Sequence, residues 1–269
     1  MDGRLGAMAL ERRTLARLPS AATGSGDPVL VIAGLMPYTG PGGDRMARMG
    51  IGSLEALADR RRLVLVNRRA DLPRGITMAE LAAEHADAIR ELGAPVDVVG
   101  TSTGGSIAQQ LAADHPDVVR RLVLLSTACR LGPEGKQLQR RVAARIRKGA
   151  YRKAIALMVA DLVPPGPGRL PAGVVASVVG PLVIRDRQGL DDMATTIEAE
   201  DAFDLASCAS PITAPTLLVA GRDDRFYAPE LFEETARLIP GCDLRVLDGK
   251  GHVTALSDAR CRDATESWL

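Results

Sequence analysis

Apolar residues fall into two kinds of run along this chain. The first kind is short and continuous: Val29-Leu30-Val31-Ile32-Ala33, Leu63-Val64-Leu65-Val66, Val96-Asp97-Val98-Val99, Leu122-Val123-Leu124-Leu125, Pro215 to Ala220, and Leu244-Arg245-Val246-Leu247. Such β-branched and leucine runs fit strands of a sheet covered on both faces. The second kind lies between them and is helical in spacing or composition. Ile51 to Arg61 reads as a helix. Thr77, with Glu80 three residues on, opens another that runs to about Leu92. Ser106 to Ala113 is helical in composition and is closed by Asp114-His115-Pro116. Pro229 to Leu238 and Thr254 to Leu269 complete the set. Leu15 and Leu18 fit one short strand, and Thr23 to Pro28 is a turn signal. The alternation predicts an α/β fold with a doubly wound, mostly parallel sheet.

Between about Leu131 and Ser210 the strand-like runs stop. Leu138, Val142 and Ile146 repeat every four residues, and a second helix is expected from Tyr151 to Leu162. Pro164-Pro165-Gly166-Pro167-Gly168 breaks it. Further helices are expected over Pro171 to Ile184 and Gly189 to Glu200. The chain therefore divides into a core of residues 1–130 and 211–269 and a helical insertion of residues 131–210.

One connection carries chemistry. Gly100-Thr101-Ser102-Thr103-Gly104 joins the Val96–Val99 strand to the helix that follows. This is G-x-S-x-G in a strand–turn–helix setting, where the turn projects the serine hydroxyl and the glycines two residues away remove steric clashes. The helix N-terminus leaves N–H groups free for a developing oxyanion. The plain alternative is a glycine-rich connector. A phosphate loop fits less well, since the P-loop lysine and the G-x-G-x-x-G spacing are both missing.

On this motif in its setting, and on Gly249-Lys250-Gly251-His252 after a strand, the chain resembles the α/β-hydrolase family over most of its length. The resemblance implies that Ser102 is the nucleophile and His252 the general base. The family's Gly-x-x-Asp maps onto Gly221 and Asp224, which makes Asp224 the acid and preserves the chain order Ser, Asp, His. Asp223, beside it, and Asp248, near His252, remain rivals. The other histidines have local readings: His85 falls within a helix, and His115 precedes Pro116 at a helix end. The oxyanion donors implied are the backbone N–H groups of Leu35 and Thr103. Here the chain departs from the family, because Ala33-Gly34 stands where His-Gly is usual. Asn67-Arg68-Arg69-Ala70-Asp71 is only partly like the family's Asp-x-Arg-Gly. The insertion corresponds to the family's helical cap. Serine at the nucleophile position argues against the dehalogenases and epoxide hydrolases of the same scaffold.

Composition narrows the partners. With 269 residues, 46% hydrophobic and 25% charged, the chain has the make-up of a globular protein. A net charge of +1 and only 3% aromatic residues give no push toward nucleic acid or a membrane surface. Cys129, Cys208, Cys242 and Cys261 form no C-x-x-C pair, and no His-Glu-x-x-His is present, so neither metal nor cofactor is expected. The cysteines suggest reduced thiols and the cytoplasm, and Met1 to Arg13 has no apolar run of signal-peptide length. Richness in Ala, Arg and Gly suggests a bacterial source. Lys136, Arg140, Arg141, Arg145, Arg147, Lys148, Arg152 and Lys153 form an acid-free stretch. It reads as a solvated helix face balanced by later acids from Asp186 to Asp204, or as a docking patch for an acidic acyl carrier protein. The expectation is a serine hydrolase acting on an ester, thioester or lactone of a small, largely apolar substrate. Its rivals are a noncatalytic scaffold of the same fold and an enzyme acting on carrier-bound acyl groups.

Overall fold

The computed structural model describes residues 9–162 and 186–269. The expected breaker at Pro164–Gly168 and the expected helix over 171–184 lie outside the described residues. One eight-stranded sheet runs in the order β1-β2-β4-β3-β5-β6-β7-β8. Its strands are β1 Glu11–Leu15, β2 Leu18–Thr23, β3 Asp27–Ile32, β4 Arg61–Val66, β5 Val96–Thr101, β6 Val119–Leu125, β7 Thr216–Gly221 and β8 Asp243–Leu247. β1 pairs antiparallel with β2, and β2 with β4; from β4 through β8 every pairing is parallel.

The single short strand expected through Leu15 and Leu18 is absent from the described residues. Leu15 and Leu18 do not share a strand but face each other across a hairpin. The turn is only Ala16 and Arg17, with Ala16 at φ +50°. A two-residue turn needs positive φ, and an alanine there gives none of the usual glycine or asparagine signal.

The parallel strands are apolar throughout because both faces are covered. Leu30, Ile32, Val64, Val66, Val98, Leu122, Leu124 and Leu218 point to one core. Their neighbours Val29, Val31, Leu63, Leu65, Val99, Val123, Leu217 and Val219 point to the other, as the two-residue strand period requires. Helices α1 Asp44–Ile51, α2 Met78–Leu92 and α3 Thr103–Asp114 connect the first half of the sheet. α2 opens on the expected capping box, Thr77 Oγ1 accepting from Glu80 N–H at 3.2 Å and Glu80 Oε2 accepting from Thr77 N–H at 2.8 Å. The helix expected over Ile51–Arg61 is displaced. The α-helix ends at Ile51, and Gly52–Leu57 is 3₁₀, because Gly52 at φ +58° stops the α-helical turn.

Between β6 and β7 lie α4 Pro133–Arg147, α5 Tyr151–Leu162 and α6 Arg187–Asp201. They share a separate apolar cluster built from Val142, Ile146, Ile155, Leu190, Met193 and Ile197. α6 is hydrogen-bonded to the sheet's loops near its start. Thr39 N–H donates to Asp186 Oδ2 at 2.9 Å, and Leu72 N–H donates to Asp192 Oδ1 at 2.9 Å. The Arg68 guanidinium donates to Gly189 O at 2.7 Å and to Met36 O at 2.5 Å. Burial draws the pKa of Arg68 down to about 10. After β7 come α7 Pro229–Leu238, then α8 His252–Leu256 and α9 Ala259–Trp268. The single closing helix expected over Thr254–Leu269 is thus two helices, and His252 begins the first instead of ending a loop. The break falls at Asp258, whose side chain accepts from Arg260 N–H and caps α9.

Candidate active site

The turn between β5 and α3 places Ser102 at φ +52°, ψ −124°. A non-glycine residue held there costs roughly 1–3 kcal/mol and persists only when its surroundings fix it. Three backbone bonds do so. Ser102 N–H donates to Leu125 O of β6 at 2.9 Å, while Ser102 O accepts from Gly105 and Ser106 at 2.7 and 3.2 Å. The two motif glycines are steric necessities. A Cβ on Gly100 would lie 2.6 Å from Gly104 O, and one on Gly104 would collide with the Ile32 and Ala33 carbonyl oxygens.

Three residues from distant parts of the sequence meet at this turn. His252 Nε2 lies 3.0 Å from Ser102 Oγ, and His252 Nδ1 lies 2.7 Å from Asp224 Oδ2. The other Asp224 oxygen accepts from Phe226 and Tyr227 N–H at 2.8 and 3.2 Å. The Asp224 side chain is fully buried, and that of His252 is 11% exposed. Burial of a carboxylate is tolerated here because each oxygen is hydrogen-bonded. The Phe226 ring stands 4.6 Å from the imidazole, and the Tyr227 ring stacks at 6.0 Å. Together they cover the imidazole with apolar surface. Ser126 Oγ donates to His252 O at 2.9 Å and ties the histidine backbone to the end of β6.

The rival acids are elsewhere. Asp223 is exposed, with its N–H donating to Lys250 O, and Asp248 is exposed and paired with Arg222. His85 is buried in α2 with Nδ1 2.7 Å from Leu81 O, and His115 occupies the C-cap of α3. Among the described residues, neither histidine is hydrogen-bonded to Ser102 or Asp224. The Thr103 and Leu35 backbone N–H groups have no hydrogen-bond partner among the described residues. Gly34 packs close to the turn, its Cβ position lying 3.4 Å from Ser102 Cβ. The loop carrying Leu35 therefore approaches the serine without the histidine usual at position 33.

One buried carboxylate here was not foreseen from the sequence. Glu200, near the end of α6, is wholly buried. It accepts from Thr103 Oγ1 at 2.7 Å, Ser106 Oγ at 2.9 Å, Gln139 Nε2 at 3.0 Å and Tyr227 O–H at 3.1 Å. Burial, with the Glu200 charge beside it, pushes the Tyr227 phenol well above its ordinary pKa. The available signal was periodic: Glu200 continues the inward stripe of Met193 and Ile197. Part of the basic stretch does meet later acids, as Arg140 pairs with Asp201 and Arg147 with Glu198, at 2.8 and 2.9 Å. Arg141, Lys148 and Lys153 remain exposed.

The sequence profile of the alpha/beta hydrolase family matches residues 9–264. The chain belongs to the alpha/beta hydrolase family. Over 200 residues, this alpha/beta hydrolase is 29% identical to the pimeloyl-[acyl-carrier protein] methyl ester esterase of Neisseria meningitidis, covering 71% of this chain and 76% of that one. Its fold is similar to that of a thermophilic esterase from Thermogutta terrifontis, with TM-score 0.70 and 23% identity over 96% of this chain and 98% of the other. It is also similar to the enol-lactonase of Burkholderia xenovorans LB400, with TM-score 0.68 and 22% identity over 96% and 97%. Among the described residues of this alpha/beta hydrolase, no helix is long and apolar enough to cross a membrane.

Proposed function

We propose that this hydrolase cleaves an ester, thioester or lactone bond of a small, largely apolar substrate through an acyl-enzyme on Ser102. The observation that carries the reading is the continuous relay from Ser102 Oγ to His252 Nε2 and from His252 Nδ1 to Asp224 Oδ2, at 3.0 and 2.7 Å. A serine hydroxyl attacks only when a base takes its proton. His252 takes it as Oγ bonds to the carbonyl carbon, and the carbonyl oxygen becomes an oxyanion facing the Thr103 and Leu35 N–H groups. His252 then gives the proton to the departing alkoxide or thiolate, leaving the acyl group on Ser102. Water, deprotonated by the same imidazole, attacks the acyl carbon and regenerates the serine. Asp224 holds the imidazole in the tautomer with Nδ1 protonated and stabilises the imidazolium between the two steps.

In this reading α4, α5 and α6 belong to a cap on the hydrolase core. Leu35, Leu138, Tyr151, Leu157 and Met158, half-buried against the α4–α6 cluster, supply apolar surface suited to a modest acyl or alkyl group. The name of the Neisseria relative supports ester hydrolysis. Its carrier-bound substrate, with the exposed Arg141, Lys148 and Lys153 here, favours a second reading in which the acyl group arrives on an acidic carrier protein. Four free cysteines are compatible with a reducing compartment such as the cytoplasm.

A fluorophosphonate probe tests the main reading. It should label wild-type protein at one serine, and Ser102→Ala should abolish labelling and ester turnover while leaving the circular dichroism spectrum unchanged. Wild-type protein that resists the probe, or an alanine variant that labels at full rate, would favour the noncatalytic scaffold.

A further inference from the structure

Among the described residues, Glu200 is a buried carboxylate with no cation among its hydrogen-bond partners. Each of its oxygens accepts two neutral donors: Oε2 takes Thr103 Oγ1 and Gln139 Nε2, and Oε1 takes Ser106 Oγ and Tyr227 O–H. All four donors point inward and leave neither carboxylate oxygen without a partner. For stability alone such a group has little to recommend it, since well-packed apolar residues serve a core equally well or better.

Its location gives it a use. The donors come from the first turn of α3, from α4 and from the segment after Asp224. Thr103 is the residue whose N–H faces the oxyanion position in the reading above, and its side chain has Glu200 as its partner. Near the other end of the same helix, Arg68 bridges Gly189 O of α6 and Met36 O, next in sequence to Leu35. Asp186 holds Thr39 N–H of that loop. The two proposed oxyanion donors therefore sit on two core segments, each hydrogen-bonded to a different end of α6.

We propose that α6 is the frame on which the oxyanion hole is set, with Glu200 the positioning residue for Thr103 and Arg68 the positioning residue for the Leu35 loop. It rests on the serine-hydrolase reading. The oxyanion is absent from the ground-state complex and develops only on the way to the tetrahedral intermediate, so a displaced donor lowers kcat and leaves KM nearly unchanged.

The test compares Thr103→Val, which removes only the hydroxyl bonded to Glu200, with Thr103→Ser, which keeps one. Rates are expressed per active site, counted by fluorophosphonate labelling, and melting temperatures are recorded alongside. Thr103→Val should lower kcat about ten- to hundredfold with KM within about threefold, and Thr103→Ser should restore it. Glu200→Ala should lower kcat similarly, and the double variant should lose no more than the worse single one. If Glu200→Ala fails to fold, the Thr103 pair still decides. Valine that lowers the melting temperature but keeps kcat per labelled site overturns the proposal while leaving the serine-hydrolase reading intact. A wild-type protein that takes no probe sinks both.

Discussion

Asp224 points one oxygen at His252 Nδ1 and gives the other to two backbone N–H groups, so the carboxylate is fixed in plane and cannot turn away from the imidazole. Asp223, one residue earlier, is exposed and makes no contact with the ring. Asp224→Asn should therefore lower kcat about 10⁴-fold, because the amide favours the wrong imidazole tautomer. Asp223→Asn should change it less than about threefold. Steady-state kinetics of the two variants on one ester decide the matter, and the reverse ranking would move the acid by one residue.

Substrate choice should follow the apolar lining. In a series of p-nitrophenyl esters, kcat/KM should rise with acyl chain length up to the size of the cleft and drop for acyl groups bearing a charge or hydroxyl. Each buried methylene is worth about 0.8 kcal/mol, or roughly a fourfold change. Equal rates for polar and apolar acyl groups would contradict the proposal that Leu138, Leu157 and Met158 receive the acyl group.

Gly104→Ala should be far more damaging than a helix-position substitution normally is. Alanine is the better helix former, yet its methyl would meet two carbonyl oxygens of β3 and the loop after it. The expected loss is about 3 kcal/mol or more, seen as a lower midpoint in urea and loss of probe labelling. A variant as stable as wild type would mean that the turn can relax away from β3.

His85 makes stability depend on pH. It is fully buried in α2, its second ring nitrogen has no partner among the described residues, and burial lowers its pKa. The folded state thus holds the neutral imidazole, while the unfolded chain takes a proton near pH 6.5. The contribution is present above that pH and is lost as pH falls below it. His85→Leu should flatten the decline in melting temperature between about pH 7 and pH 5. A decline as steep as in wild type would assign the acid sensitivity to other groups.

What the sequence made legible follows from how local each signal is. The central strands declare themselves because Val29–Ile32, Leu63–Val66 and Leu122–Leu125 are buried on both faces and need no partner to be recognised. Ser102 stood out because Gly100 and Gly104 fall where backbone segments touch, whereas His252 was picked out by the family resemblance, since Gly249 and Gly251 beside it are not crowded. The hairpin at β1 and β2 was not, since β1 is exposed over most of its length and its turn carries an alanine at positive φ. Glu200 was lost among the acids expected to offset the basic stretch. Its partners Thr103, Ser106, Gln139 and Tyr227 come from three separate segments, and no spacing along one segment could have announced them.

The attachment of α6 has a consequence for anyone redesigning this protein. The helix is bonded to the core at both ends, and α4 joins it through Gln139. Exchange of the whole insertion with that of a relative would remove Gln139, Asp186, Asp192 and Glu200 and with them their hydrogen bonds to the core and to α6. α5 is different: it packs on α4 and contributes Leu157, Met158 and Val159 to the apolar cluster, and none of these side chains enters the Glu200 or Arg68 contacts. A library confined to Leu157, Met158 and Val159 should therefore retune chain-length preference while sparing turnover, whereas the same diversity spread over α6 should yield mostly inactive clones.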